Sequence, residues 1–428
     1  KQKTAYEIRN CDWSSDVCSS DLGGGGPPPC RQLRRPSLCH LAAGLRGGVT
    51  VLNRSELLRD PLLALAGVLY LLPLPPAWST GAVLAWLVLQ LLDGPAGDRW
   101  RHWPLAALLL ALVRPWVRGE MPHPVSGEDL LLLALAFVAS TGLTVARWQR
   151  LLPWLLPPLA VALFAGPRPW TPNPLAGVNQ GAYLLGLLTV AAAAWTSALP
   201  GPLRQRWPGA ALTLVGLWGM WRTGSRACLV ASLLAGLAVL LAERARRGQP
   251  LLRPLLLAAI AGAAALGLKN LLGHPGIGID WTSDSGRVQG YGCWAGLPFS
   301  GDNRLLWGVG FHRPGAFCQQ PIHGSPLTHA HNLFLQLWGN TGLLGLLAMG
   351  LLALLFWRLW RGGGGSDLTR RLGQGALVYT LLQGCFDVAL LHWPLLQVAT
   401  ATLVAALTAT AGSAPAVDPG SSAPSPRT

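Results

Sequence analysis

The sequence predicts an all-α, polytopic integral membrane protein with about twelve transmembrane helices and one large outward-facing loop between spans nine and ten. Three observations predict it. Only 12% of the 428 residues are charged and 51% are hydrophobic, with a mean hydropathy of +0.38; a soluble globular chain carries roughly 25% charged residues. Apolar runs of spanning length recur along nearly the whole chain. Arginines gather in alternate connections, as the positive-inside bias of membrane proteins produces. The 52 Gly, 35 Pro and 20 Trp fit the same class, because Gly and Pro are tolerated in lipid and Trp collects at its interfaces. A soluble enzyme, a disordered chain and a single-anchor receptor are excluded. The net charge of +15 suggests nucleic acid, but arginines spread over connections between apolar runs form no nucleic-acid patch, so no nucleic-acid partner is expected.

Taken in order, residues 1–22 are polar, without apolar periodicity, and resemble translated sequencing-adapter read-through; they are left out of the fold as an artefact. Residues 23–54 hold a Gly run, a Pro run and Arg31, Arg34, Arg35, Arg46 and Arg54, which reads as a disordered basic cytoplasmic segment. No cleavable signal peptide is read at the start. Spans one to nine occupy 55–272, at roughly 56–74, 77–93, 102–118, 128–146, 150–166, 177–197, 208–222, 224–242 and 252–272. The third and fifth are short and interrupted by proline. Spans seven and eight meet at Arg222-Thr-Gly-Ser-Arg226, with Gly224 as hinge. Spans ten to twelve occupy 338–411, at 338–358, 371–388 and 391–411, and 412–428 is a disordered Ser/Pro/Ala-rich tail.

With the N-terminus inside, the basic connections fall on the cytoplasmic side: Arg99/Arg101, Arg147/Arg150, Arg204/Arg206, Arg244/Arg246/Arg247/Arg253 and Arg358/Arg361/Arg370/Arg371. The segment 273–337 is then outside. A connection of that length is usually functional or disordered, and its Trp281, Trp294, Trp307, Tyr291, Phe299, Phe311 and Phe317 argue against disorder. It also concentrates His274, His312, His323, His329 and His331, and carries Arg287, Arg304 and Arg313 on the side expected to be poor in arginine. A folded, aromatic, His- and Arg-bearing loop on the outer face is a candidate active site. Cys293 and Cys318 read either as a disulfide, in an oxidising compartment, or as two buried thiols. Cys228 and Cys385 read as small core residues of spans, and the tryptophans of the loop as interface anchors.

Three motifs stand out: Thr223-Gly-Ser-Arg226; Ser285-Gly-Arg287 followed by Leu306-Trp-Gly-Val-Gly310; and Thr328-His-Ala-His-Asn-Leu-Phe-Leu-Gln-Leu337 followed by Gly342-Leu-Leu-Gly345. In this order they resemble the O-antigen ligase and polymerase family of bacterial envelope glycosyltransferases, which shows a similar "SR" after an outward-going span, an Arg before a "GxG" stretch, and "HN" ahead of "tGllG". The resemblance covers roughly residues 170–350, and Phe386-Asp387-Val388 resembles a stretch of cyanobacterial members. It implies transfer of a glycan from an undecaprenyl-pyrophosphate carrier to lipid A-core, to a growing O-antigen or polysaccharide chain, or to protein. The reaction would take place at the outer, periplasmic face of the inner membrane, with no cofactor and no metal.

By resemblance His331 is the base, and Arg226 and Arg287 hold the pyrophosphate. Arg222 and Asn332 are further substrate-binding candidates. The chemistry agrees, since a leaving pyrophosphate needs fixed positive charge, which planar Arg supplies, and an acceptor hydroxyl needs a base near neutrality, which His supplies. The blander readings stand beside these. His331 could cap or pack at a helix entry, Arg226 could reach into the headgroups, and Arg287 could pair with Asp280 or Asp284. His329 would point away from His331 if the segment were helical, and a loop HxH could chelate a metal with His312 or His323, a reading that no carboxylate or Cys spacing supports. In a helix Arg222 would share the face of Arg226. The alternative function is a multi-pass transporter, a label given to some cyanobacterial relatives. It should show ionisable groups near mid-membrane, and few are seen.

Overall fold

The computed structural model describes residues 54–93, 127–141, 143–164, 170–174, 177–198, 203–252, 290–301, 304–310, 318, 329–362 and 366–409. The third and ninth expected spans, residues 1–22 and the tail 412–428 lie outside the described residues. Within them the chain is all-helical, with no strand. The helices are α1 (Arg54–Leu71), α2 (Pro76–Asp93), α3 (Gly127–Ser140), α4 (Val145–Leu151), α5 (Leu156–Val161), α6 (Val178–Ala198), α7 (Leu203–Thr223), α8 (Arg226–Arg246), α9 (Arg304–Trp307), α10 (Leu333–Gly362), α11 (Asp367–Gly384) and α12 (Pro394–Ala405). By length and composition three of them could cross a membrane: Val178–Ala198, Arg226–Arg246 and Leu333–Arg361. Pro76–Leu92 and Pro394–Thr408 are shorter apolar helices.

Helix α6 is the centre. Its residues from Gly181 to Ala192 are buried on every face, the pattern of a helix that is apolar all round. Helices α7, α8 and α11 pack on it, and α12 packs on α3 and α11. Among the polar groups that enter this core, the hydroxyls of Tyr183, Tyr379, Thr380 and Thr400 are paired. The Tyr379 hydroxyl donates to the Tyr183 carbonyl at 3.0 Å, and the Tyr183 hydroxyl meets Thr400 at 3.0 Å and Thr380 at 3.2 Å. Such pairing removes the several kcal/mol cost of an unmet polar group in an apolar surrounding.

Two expectations are corrected. The fifth span, 150–166, is no single helix. The prolines of Leu152-Pro-Trp-Leu-Leu-Pro-Pro-Leu159 break it into α4, a 3₁₀ turn Leu152–Leu155, α5 and a second 3₁₀ turn Ala162–Phe164. A proline removes a backbone donor and clashes with the preceding turn, so the turn Leu152–Leu155 and α5 each carry one in their first positions, where it is tolerated. The tenth span begins earlier than expected, at Leu333, and is kinked at Gly342 (φ 60°, ψ −150°).

Among the described residues, one pair of basic connections proves to be helix ends tied by ion pairs. Glu243, in the last turn of α8, meets Arg246 at 2.9 Å, Arg370 at 3.0 Å and Arg371 at 3.3 Å, and also contacts Arg247. Asp367, the first residue of α11, meets Arg370 at 2.6 Å and Arg246 at 3.2 Å. Arg371 also donates to the Ser197 carbonyl at the end of α6. Ser366 caps α11 through a reciprocal capping box with Thr369. Helices α8 and α11 therefore run antiparallel, joined at one end by this network. Arg147 is likewise buried rather than a free loop cation, at 3.4 Å from Asp60 and 3.2 Å from Gln90.

Candidate active site

The opposite end of the α8–α11 pair holds the site. Helix α7 stops at Thr223, and Gly224 takes φ +77°, a left-handed value that costs glycine least. Ser225 is extended and Arg226 opens α8. The break at the expected Gly224 hinge puts Arg222 and Arg226 on different helices, so the condition for a shared helical face is not met. Arg222 lies 5.4 Å from the Trp218 ring, a cation–π contact, and Arg226 is exposed at the start of α8. Cys228, two residues further on, is buried within electrostatic reach of Asp387 and against Gln383 and Tyr379 of α11. The first turn of α8 thus meets the last turn of α11.

The loop that carries His331 is held to α10 by backbone pairing. At the Gly342 kink the carbonyls of Gly339 and Asn340 turn outward and accept hydrogen bonds from Val309 N–H (2.9 Å) and Gly310 N–H (3.0 Å). The approach is close enough to exclude side chains. A Cβ on Gly308 (φ +72°) would stand 2.3 Å from the Asn340 backbone, and one on Gly342 would stand 2.6 Å from the Leu305 carbonyl. This is the physical content of Gly308 in the "GxG" motif and of Gly342 in the "GllG" motif: each lets two backbones touch. A small core seals the loop, made of Trp294, Leu297, Val309, Cys318 and Ala330. Trp294 is fully buried rather than an interface anchor. Cys293 and Cys318 form a disulfide with a Cα separation of 5.9 Å, which decides between the two readings of these cysteines. Trp338 Nε1 donates to the Ala295 carbonyl at 3.0 Å.

His331 sits at the entry to α10 with φ 49°, the one non-glycine residue with positive φ among the described residues. Left-handed backbone in a non-glycine residue costs of order 1–3 kcal/mol and persists only where the surroundings enforce it. Three contacts do so here. The Tyr291 hydroxyl donates to the His331 carbonyl at 3.3 Å. Asn332 Oδ1 accepts from Phe334 N–H and Leu335 N–H, each at 3.0 Å, capping α10. Asn332 Nδ2 donates to the Cys385 carbonyl at 2.9 Å, which ties this cap to the end of α11.

That tie brings Asp387 to His331. Helix α11 ends at Gly384, short of the expected 388, and Asp387 lies beyond it in the turn before α12. His331 Nδ1 is 3.8 Å from Asp387 Oδ1, ion-pair distance but too long for a hydrogen bond. Nδ1 is shielded from solvent and has no hydrogen-bond partner among the described residues. Asp387 is buried, and its Oδ1 accepts from Val388 N–H at 2.7 Å. Burial pushes its carboxyl up, but the imidazole of His331, the Val388 N–H and His329 together outweigh burial and hold it below the usual carboxylate range.

His329 does not point away. Residues 329–332 are not helical, and its ring stands 4.1 Å from that of His331 and 5.2 Å from that of His392. His392 Nδ1 lies 3.0 Å from the Val388 carbonyl. The carboxylate missing from the HxH neighbourhood in sequence is therefore supplied from a distant helix end. Beside the cluster, Leu333, Phe334, Leu390 and Leu391 line the start of an apolar cavity of about 410 Å³, which continues to Trp357 and Trp360 on α10.

The structure thus brings His331 together with Asp387, His329 and His392, and places Arg226 at the same end of the α8–α11 pair. Arg287, Ser285, His274, His312 and His323 lie outside the described residues. Sequence reasoning missed the role of Asp387. The signal available was its place within the cyanobacterial-like Phe386-Asp387-Val388 stretch, near the expected end of a span.

No curated protein matches the chain. Residues 211–350 match the family model described as O-antigen ligase, which at family level supports a membrane glycosyltransferase of the O-antigen ligase or polymerase type. The matched segment is about a third of the chain and holds Arg222, Arg226, the "GxG" stretch and His331, and over it the chain is similar to the O-antigen ligase family.

Proposed function

We propose that the chain transfers a glycan from an undecaprenyl-pyrophosphate carrier to an acceptor hydroxyl, on lipid A-core or on a growing O-antigen or polysaccharide chain. The reaction takes place at the periplasmic face of the inner membrane. The observation that carries the reading is the buried Asp387 carboxylate 3.8 Å from His331 Nδ1; the neighbouring Leu333, Phe334, Leu390 and Leu391 line an apolar cavity of a kind suited to a lipid tail. Asp387 favours the tautomer with the proton on Nδ1 and leaves the Nε2 lone pair for the acceptor. The acceptor oxygen bonds to the anomeric carbon as its proton passes to Nε2. The bond from that carbon to the phosphate oxygen breaks, and polyprenyl pyrophosphate leaves with the electron pair. Arg226 and Arg287 neutralise the charge that develops on it, since guanidinium matches phosphate with two parallel hydrogen bonds. Arg222 is a reserve cation beside them. Asn332 serves the substrate indirectly, because its amide is engaged in holding the loop.

The transporter alternative calls for ionisable groups at mid-membrane. Among the described residues two of the ionic clusters sit at helix ends, around Glu243 and Asp367 and around Asp387, while buried Asp60, within α1, is matched charge to charge by Arg147.

The test is transfer from a purified lipid-pyrophosphate donor in the presence of EDTA. Wild-type protein is expected to stay active, and His331→Ala to lose about 10²–10⁴ in rate while expressing and inserting normally. Arg226→Lys is expected to fall by about tenfold or more, because a point charge does not reproduce the bidentate fork. Full activity of His331→Ala would remove the base assignment.

A further inference from the structure

We infer that His329, His331 and Asp387 form a binding site for a divalent ion of the zinc class, and that filling it switches the base off. The switching rests on the reading of His331 as base; the binding does not. One ligand atom from each residue lies within 4.8 Å of the other two. For zinc–ligand bonds of about 2.0–2.1 Å, tetrahedral geometry sets neighbouring ligand atoms about 3.4 Å apart. The 3.8 Å from His331 Nδ1 to Asp387 Oδ1 is close to that edge, and it is the wrong length for a direct hydrogen bond. Small rotations of the His329 side chain bring in the third ligand. His331 Nδ1 is withdrawn from solvent and accepts or donates no hydrogen bond among the described residues, so a cation there displaces none.

The surroundings are those of a built site. Asp387 is oriented by Val388 N–H, and the His331 backbone is fixed by Tyr291 and by the Asn332 cap. Such outer contacts orient ligands and raise affinity. Two imidazoles and one carboxylate prefer zinc-class ions over magnesium or calcium, which take oxygen ligands. Three protein ligands leave a fourth position open for water.

The switch follows from proton placement. A neutral imidazole carries one N–H. When the metal takes the Nδ1 lone pair, that proton must sit on Nε2, the nitrogen that would accept the proton of the acceptor hydroxyl. No proton is gained or lost; it changes nitrogen, and the lone pair needed for transfer is gone. A protein that works in EDTA would then be inhibited by zinc.

The experiment uses the untagged full-length protein in lipid nanodiscs, stripped with EDTA. Zinc is titrated against a chromophoric chelator, and cobalt is added separately to read ligand-field absorption. Wild-type protein is expected to bind one more equivalent than His329→Ala or Asp387→Asn, or to bind that equivalent at least tenfold more tightly. Its cobalt form should show the visible bands of a low-coordinate site. Equal zinc binding by wild type and both variants overturns the site. So does the absence of cobalt bands in wild type, a readout that does not depend on a variant folding. In the transfer assay zinc should inhibit wild type and EDTA should restore it. Zinc bound at the site with transfer unaffected overturns the switch. A chain that binds zinc there but transfers no glycan under any condition leaves the site standing and refutes the function instead.

Discussion

The two ends of the α8–α11 pair carry similar chemistry in opposite states. At one end Glu243 and Asp367 are surrounded by Arg246, Arg247, Arg370 and Arg371, and the arginines bridge both carboxylates. At the other, buried Asp387 faces a cluster of histidines, the nearest nitrogen stands 3.8 Å away, and that nitrogen has no hydrogen bond among the described residues. At the first end both carboxylates are engaged by arginines; at the second the carboxylate has no arginine beside it among the described residues, and its nearest imidazole stands beyond hydrogen-bond distance. Carboxylates already paired with arginine can only hold, because any proton or ligand they took up would break pairs already made. A carboxylate and imidazole held apart, and kept in place by a strained backbone and a cap, are ready to accept a proton or a cation. What separates the two ends is how their carboxylates are paired.

The comparison is most sharply broken at His331. His331→Ala is expected to cost about 10²–10⁴ in transfer rate with little loss of stability, because it removes an unmet group while the left-handed strain stays the same, Ala keeping the Cβ. Asp387→Asn keeps the shape and removes the charge. Transfer is expected to fall by about 10–10², read as a drop in kcat with KM nearly constant, since orientation of the base is lost rather than donor binding. Asp387→Glu should restore part of it. An unchanged kcat in Asp387→Asn would reduce the pair to a packing contact.

Stability should report the opposite end and the loop. Cys293→Ser opens the disulfide, whose sequence separation is 25 residues, and is expected to cost about 2–4 kcal/mol in the loop. Limited proteolysis of 290–330 under reducing and non-reducing conditions measures it. Glu243→Gln strips the arginine end of its central acceptor. A loss of about 1–3 kcal/mol is expected, seen as a lower unfolding temperature in detergent, with the transfer rate per folded molecule unchanged. A rate loss matching that of Asp387→Asn would mean the two ends are coupled through α8 and α11 and are not independent.

Much of this was legible in the chain itself, for local reasons. Spanning length and the absence of charge mark α6, α8 and α10, since one helix must bury its own apolar surface and meet its own backbone groups. Gly224 was readable as a hinge, because only the next helix could begin after it. His331 and Arg226 were found through motif order.

What the sequence could not determine was which residues meet across the fold. The prolines of 152–158 were visible, yet only packing of the short pieces around α6 shows how the chain uses them. The arginines looked like free loop charges because their acceptors, Glu243 and Asp367, belong to different helices. Asp387 lies 56 positions after His331 in the numbering, and the Asn332–Cys385 bond that unites them forms only once α10 and α11 are packed. The sequence by itself determined a membrane class, the helices whose apolar length speaks for itself, and the histidine proposed as base. The tertiary structure alone decided the partners: the disulfide over the two-thiol reading, His329 beside His331, and a carboxylate within ion-pair distance of the base. The physical reason is range. Helix propensity and apolar length act over one or two turns, whereas a pair across two helices exists only after both have been paid for by the packing of everything between them.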